Sequence, residues 1–274
     1  MLTLLIGDLH IPERSIEIPP KFRKLLAPNP NQTPSNNKIS QVLCLGNLTN
    51  SFDTLKFLTN LSPSFNLVKG EFDNSVILSQ QLNELNLKID PIPYHQTIQN
   101  GNLKIGFTNG YQVIPKNDPL SLLNLARELD VDILVWGGTH KVEAYTLDEK
   151  FFINPGSVTG SYSFDWPDNE DDDEEEEDEE DEPEEKEEEN GEEKNADVKE
   201  EQNGETQDSK TEETESDKPV EDEKDEELNN EITDLSSSIP SFCLLDTNGN
   251  KCTAYIYTYI EGEVKVDKVT YQKE

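Results

Sequence analysis

Cysteine is scarce in this chain, positive charge is short, and long apolar runs are missing. The three cysteines, Cys44, Cys243 and Cys252, contain no CxxC pair. Each lies in an apolar, strand-like run, which argues against a structural zinc cluster or disulfide framework and for buried, reduced thiols. No apolar run approaches the roughly 20 residues of a membrane span. The N-terminal run is brief, lacks a basic flank and ends at Asp8, so it does not read as a signal peptide. A soluble, cytosolic protein is expected. Against 59 Asp and Glu stand only 23 Lys and Arg, a formal charge of -36. Such an excess repels nucleic acid and anionic membrane, which excludes both as direct partners.

Nearly all of that charge is local. Between Asp168 and Asp234 there are 38 acidic and 6 basic residues, leaving 21 acids and 17 bases for the other 207 positions. Asp171 to Glu182 is unbroken carboxylate, and the aliphatics beyond it, such as Val198, Val220 and Leu228, are too few to form a core. Self-repulsion and ordering entropy both oppose folding there. We read residues 168–234 as a disordered acidic insertion in a single domain formed by 1–167 and 235–274. Solvation is its bland role; weak association with basic partners or calcium, or charge-based docking, are the alternatives.

Strand and helix patterns alternate in the first half. Leu2 to Ile6, Gln41 to Leu45 and Phe65 to Val68 read as strands, and Pro20 to Leu26 and Asp53 to Leu61 as helices, giving βαβαβ with a largely parallel sheet. Pro119 to Leu129 is a further helix, started by Asp118-Pro119. Strands then dominate: His95 to Gln99 and Leu103 to Phe107 joined at Asn100-Gly101, Ile133 to Trp136, Val142 to Leu147, Phe151 to Ile153, Pro240 to Leu245, Cys252 to Tyr259 and Val264 to Tyr271. The pattern predicts an α/β fold of two stacked mixed sheets with helices outside, a four-layer α/β/β/α sandwich. Pro28 to Lys38 and Asn74 to Pro93 read as surface loops. The strands flanking the acidic tract are expected to share one sheet.

Polar residues recur at the strand ends: Asp8 and His10, Gly46-Asn47, Gly70-Glu71-Phe72-Asp73, Asn109-Gly110, and Gly138-Thr139-His140. Singly each is weak, since Asp-x-His is commonly a capping pair and Gly-Asn a turn. Five in order behind strands are a stronger signal. In that order and spacing the chain resembles the calcineurin-like metallophosphoesterases, whose motifs are DxH, GDxx, GNH followed by an acid, GH or HG, and GHxH. The resemblance implies two cations held by these loops with one carboxylate bridging them.

The departures from that pattern decide what chemistry remains. The bridging Asp is Asn47, the Asn ligand is Glu71, and the His that protonates the leaving group is Phe72, whose phenyl ring carries no proton to give. A second-site His is Asn109, and the first His of GHxH is Gly138. Asp8, His10, Asn47 and His140 make a partial first site; Glu71 and Asn109, with Asn47, make a degenerate second one. We therefore expect no required cofactor and at most one weakly held Zn or Mn. The plainer alternative is that Asp8 and His10 only hydrogen-bond nearby loops.

Within the family the wording is closest to the small subunits of the retromer cargo-sorting coat. Gly7 to Pro12, Lys21 to Leu26, Gly46-Asn47-Leu48, Gln112 to Pro115, Val131 to Leu134, Phe152 to Gly160, Ile239 to Phe242 and Val264 to Val266 carry that resemblance. It implies a noncatalytic scaffold, cytoplasmic and peripheral on endosomal membranes, in endosome-to-Golgi transport. Its large α-solenoid partner would be met by Val113 and Ile114. It further implies a second apolar patch for Rab GTPase regulators, matched by Leu2, Leu25, Leu244, Tyr255, Tyr257 and Val266. Alternating tyrosines at 255, 257 and 259 fit an ordinary half-buried sheet surface equally well. The alternative activity is a weak single-metal phosphoesterase.

Overall fold

The computed structural model describes residues 1–48, 50–89, 91–163 and 239–273. The acidic insertion expected at 168–234 lies outside the described residues. Among these residues run eleven strands and four helices in the order β1 (Leu2–Ile6), α1 (Pro20–Leu26), β2 (Gln41–Cys44), α2 (Phe52–Leu61), β3 (Phe65–Leu67), α3 (Ser75–Glu84), β4 (His95–Asn100), β5 (Leu103–Thr108), α4 (Pro119–Glu128), β6 (Ile133–Val135), β7 (Val142–Leu147), β8 (Lys150–Pro155), β9 (Ser241–Asn248), β10 (Lys251–Ile260) and β11 (Glu263–Gln272).

One sheet has the order β11-β10-β9-β1-β2-β3, the other β4-β5-β6-β8-β7. Their inner faces meet in a core of Leu5, Leu43, Leu45, Cys243 and Ile256 against Ile105, Phe107, Ile133, Phe151 and Ile153. Helices α1 to α3 place Phe22, Leu26, Leu55, Leu58, Leu78 and Leu82 on the outer face of the six-stranded sheet. Helix α4 covers the other sheet with Leu122, Leu123 and Ala126 around Trp136 and Phe152. The expected α/β/β/α layering is present. Burial pushes the Cys44 and Cys252 thiols up to about 12 and raises Cys243 as well, so all three stay protonated.

Two expectations need correction. The strands flanking the acidic tract fall in different sheets, because both edges of β8 are filled by β6 and β7. β9 crosses instead to the edge of β1 left free by β2. The crossing is tight: Ser241 N–H donates to the Ser157 carbonyl and its hydroxyl to the Pro155 carbonyl, each at 2.8 Å.

Asn74 to Pro93 is not all loop. Asn74 Oδ1 accepts from the Val76 and Ile77 amides at 3.0 and 3.3 Å and starts α3. Leu78 and Leu82, one helical turn apart, then bury against the core. The exposed apolar pair Val76 and Ile77 blurs the helical pattern that these two leucines write. The other insertion, Pro28 to Lys38, is a loop pinned at its end: Asn36 Nδ2 donates to the Leu26 carbonyl at 2.9 Å and Ser35 N–H to the Asn60 carbonyl at 2.8 Å. These satisfy helix-terminal carbonyls of α1 and α2 that would otherwise need water.

Truncating Leu82 to Ala should lower unfolding free energy by about 2–5 kcal/mol in urea titration, as for a core position. A loss below about 0.5 kcal/mol would mean that α3 does not dock.

Candidate functional site

The strand ends β1, β2, β3, β5 and β6 release five loops at one end of the sandwich. Asp8, His10, Asn47 and His140 all take left-handed backbone angles, with φ of 49°, 47°, 55° and 61°. Non-glycine residues adopt that conformation at a cost, and such positions gather where a site over-determines the chain. Here the determinants are visible. His10 N–H donates to the Asn47 carbonyl at 2.8 Å. Ser157 and Thr159 hydroxyls donate to the Asp8 and Leu9 carbonyls at 2.6 and 2.8 Å. Gly70 must be glycine, since a Cβ there would lie 2.1 Å from the Asn47 nitrogen.

Asp8, His10 and His140 are buried, and one ligand atom from each lies within 4.8 Å of the others. Nδ1 of His140 is 2.6 Å from the Ser161 carbonyl, which requires a proton on that nitrogen and leaves Nε2 a lone pair. Nε2 of His10 faces it at 3.1 Å and, with that His140 tautomer, donates there. Burial, followed by the charges of Arg14 and His140, lowers the His10 pKa from 6.5 to about 3.

Both asparagines are held by hydrogen bonds. Asn47 Nδ2 donates to Asp8 Oδ1 at 2.7 Å while its Oδ1 accepts from the Phe72 amide at 3.1 Å. Asn109 Nδ2 donates to the Leu45 carbonyl at 2.9 Å and leans toward Asp8 Oδ1 at 3.4 Å. Glu71 is exposed and lines a cleft with Arg14, Phe72, Lys116, Gly138, His140 and Ser163. Asp73, within the Gly70 to Asp73 segment, ties two loops together, its carboxylate accepting from the Asn47 and Gly70 amides at 2.8 and 2.9 Å.

Phe72 packs edge-on against His10 with ring centroids 5.3 Å apart. The Arg14 guanidinium covers its other side, 4.5 Å from the Phe72 centroid and 5.5 Å from that of Tyr162. Sequence reasoning misses Arg14 and Ser161. Arg14 closely follows the Asp8 motif and is the nearer to being found; nothing local marks Ser161.

A model of the calcineurin-like phosphoesterase superfamily domain matches residues 1–166. Vacuolar protein sorting-associated protein 29 of Saccharomyces cerevisiae is 48% identical over 289 residues, covering 100% of both chains. The chain belongs to the Vps29 family of calcineurin-like phosphoesterases. Vps29 of Chaetomium thermophilum has the same fold, with a TM-score of 0.64 and 31% identity over 100% of both chains. Vps29 of Entamoeba histolytica, solved in complex with Zn2+, gives 0.60 and 30% over 98% of this chain and 99% of that one.

Measured by its own donors, the site in this chain fits one ion and not two. Asp8, His10 and His140 would hold a single zinc- or manganese-type cation, which when bound supplies Lewis acidity. At the second position Asn47 Oδ1 accepts from the Phe72 amide, Gly138 has no side chain and Glu71 is exposed, while Asn109 Oδ1 is buried without a hydrogen-bond partner. Isothermal titration with Zn or Mn should therefore give at most one weak site; two tight sites would refute this.

A depressed histidine pKa means that the unfolded chain takes up the proton first. Stability then falls as pH drops below about 6.5 toward 3, with a slope of up to about 1.4 kcal/mol per pH unit. In EDTA, wild type should lose stability between pH 6 and 4 more steeply than His10→Gln. Equal slopes in urea titrations would show that His10 is not held neutral.

Proposed function

We propose that the protein is a noncatalytic scaffold subunit of the retromer coat in endosome-to-Golgi cargo sorting, docking the large α-solenoid subunit over its former metal site. The observation that carries this reading is Ile114, 85% exposed on the loop after β5 and at the rim of a site whose proton donor has become Phe72. Large apolar side chains are otherwise costly to leave in water, and a cluster of them marks a contact surface. Phe72, Val76, Tyr94, Leu120 and Tyr162 are also exposed, in loops or helix starts beside the same strand ends. The vacuolar protein sorting name of the Saccharomyces cerevisiae relative agrees with the assignment.

Val113 needs to be reassigned. Only 8% exposed, it packs with Leu122, Leu123 and Trp136, which supports reading it as the anchor of the loop that presents Ile114. Gln112 anchors the same flank, donating to the Thr108 hydroxyl and the Tyr94 carbonyl, and from beyond the loop the Ser121 hydroxyl donates to the Ile114 carbonyl at 3.3 Å. Held at both flanks, Ile114 is presented with little ordering entropy left to lose on binding.

The second patch for Rab GTPase regulators has support in register. Leu244 pairs with Tyr255, and Tyr257 with Val266, so these four share the outer face of the six-stranded sheet with Leu2. Leu244 is buried beneath and Tyr257 stacks on Phe242, while Leu25 and Val266 are the exposed members.

Ile114→Asp should abolish co-purification with the solenoid subunit while leaving the melting temperature unchanged; retained binding would remove the assignment. The intact Asp8, His10 and His140 triad favours a second reading, a weak single-metal phosphoesterase. Hydrolysis of an aryl phosphate with Mn should not exceed that of an Asp8→Ala control; a metal-dependent excess would establish the second reading instead.

A further inference from the structure

Asp8 is fully buried, and a carboxylate in that setting needs opposite charge or hydrogen-bond donors around it. Both of its oxygens have donors. Oδ1 accepts from Asn47 Nδ2 at 2.7 Å, with Asn109 Nδ2 at 3.4 Å, and Oδ2 accepts from the Gly138 amide at 2.6 Å. In the phosphoesterase pattern these same three positions carry the bridging Asp and two second-site His ligands. At two of them, Asn47 and Asn109, a group that binds a cation has been replaced by a side-chain amide that offers an N–H, while the third donor is the Gly138 backbone amide, which any residue there would supply.

The Asn47 amide is fixed from both ends, the Asn109 amide from its nitrogen. Asn47 has an acceptor at its nitrogen and the Phe72 N–H at its oxygen, so a flip would break both bonds. Asn109 has acceptors, Leu45 O and Asp8 Oδ1, at its nitrogen, and its own Oδ1 is buried with no partner. The amide gives up a bond at its oxygen so that the nitrogen faces the carboxylate side. That is the expected outcome if the demand comes from Asp8.

We propose that these three N–H groups are a structural substitute for the cations, so that the site keeps its shape without metal, and that a carboxylate restored at position 47 would make the fold metal-dependent. The inference concerns what holds the site together and stands apart from what docks on it: its readout is thermal stability, whereas the docking assignment is tested by co-purification.

The test is calorimetry of the purified full chain, wild type and Asn47→Asp, in EDTA and in MnCl2. Wild type should melt within about 2 °C in the two buffers. Asn47→Asp places two carboxylates in hydrogen-bond range of each other, and should melt at least about 5 °C lower than wild type in EDTA and recover most of that in Mn. An Asn47→Asp protein as stable as wild type in EDTA would overturn the proposal, as would a wild type that loses several degrees to EDTA. Asn47→Leu keeps the test decisive should the Asp variant fail to fold. It removes the donor and adds no ligand, so its melting point should drop equally in both buffers; no drop would show that the N–H is not needed.

Discussion

Burial of the Asp8 carboxylate at the end of β1 is the constraint on which the site depends. A charge with no water around it must be compensated within about one bond length of its oxygens, or the loops that carry it open. Asn47, Asn109 and Gly138 supply that compensation from three different loops, drawing the ends of β2, β5 and β6 toward β1. The loop after β8 closes the arrangement from below, its Ser157, Thr159 and Ser161 hydroxyls taking the Asp8 and Leu9 carbonyls. The left-handed turns at Asp8, His10, Asn47 and His140 persist because this network holds them.

A stiff polar floor has consequences for the rim. Phe72 lies on His10, Arg14 lies on Phe72, and the loop of Ile114 is fastened by Gln112 and Val113, so the apolar groups stand on supports that move little. Rigid apolar projections suit recognition, because little entropy is lost when a partner covers them. Loops at strand ends, held by a sandwich core, keep side chains where they are put, which suits the proposed docking for the same physical reason that it suits catalysis.

Much of this was legible in the sequence. The order of strands along the chain, the four layers and the burial of the cysteines follow from periodicity, and the Asp8, His10, Asn47, Glu71, Asn109 and His140 positions follow from polar residues behind apolar runs. Helix α3 was not legible, because exposed Val76 and Ile77 hide the spacing of Leu78 and Leu82. The sheet change between β8 and β9 was not legible either, since edge occupancy is a property of the assembled sheet and not of any strand. Nor were the roles of the asparagines. A sequence states that an amide replaces a carboxylate; only the geometry states which end of the amide faces Asp8. Val113 and Ile114 are adjacent and chemically alike, and one is core while the other is surface.

The most direct test of the central claim is a high-resolution structure of this chain bound to the α-solenoid subunit, with anomalous scattering recorded at the zinc and manganese edges. The account predicts Ile114 and Phe72 covered by the solenoid, Asn47 still donating to Asp8, and no anomalous peak beside Asn47 and Glu71. A pair of ions at the two positions, or a solenoid seated elsewhere with the strand-end face left in solvent, would contradict it.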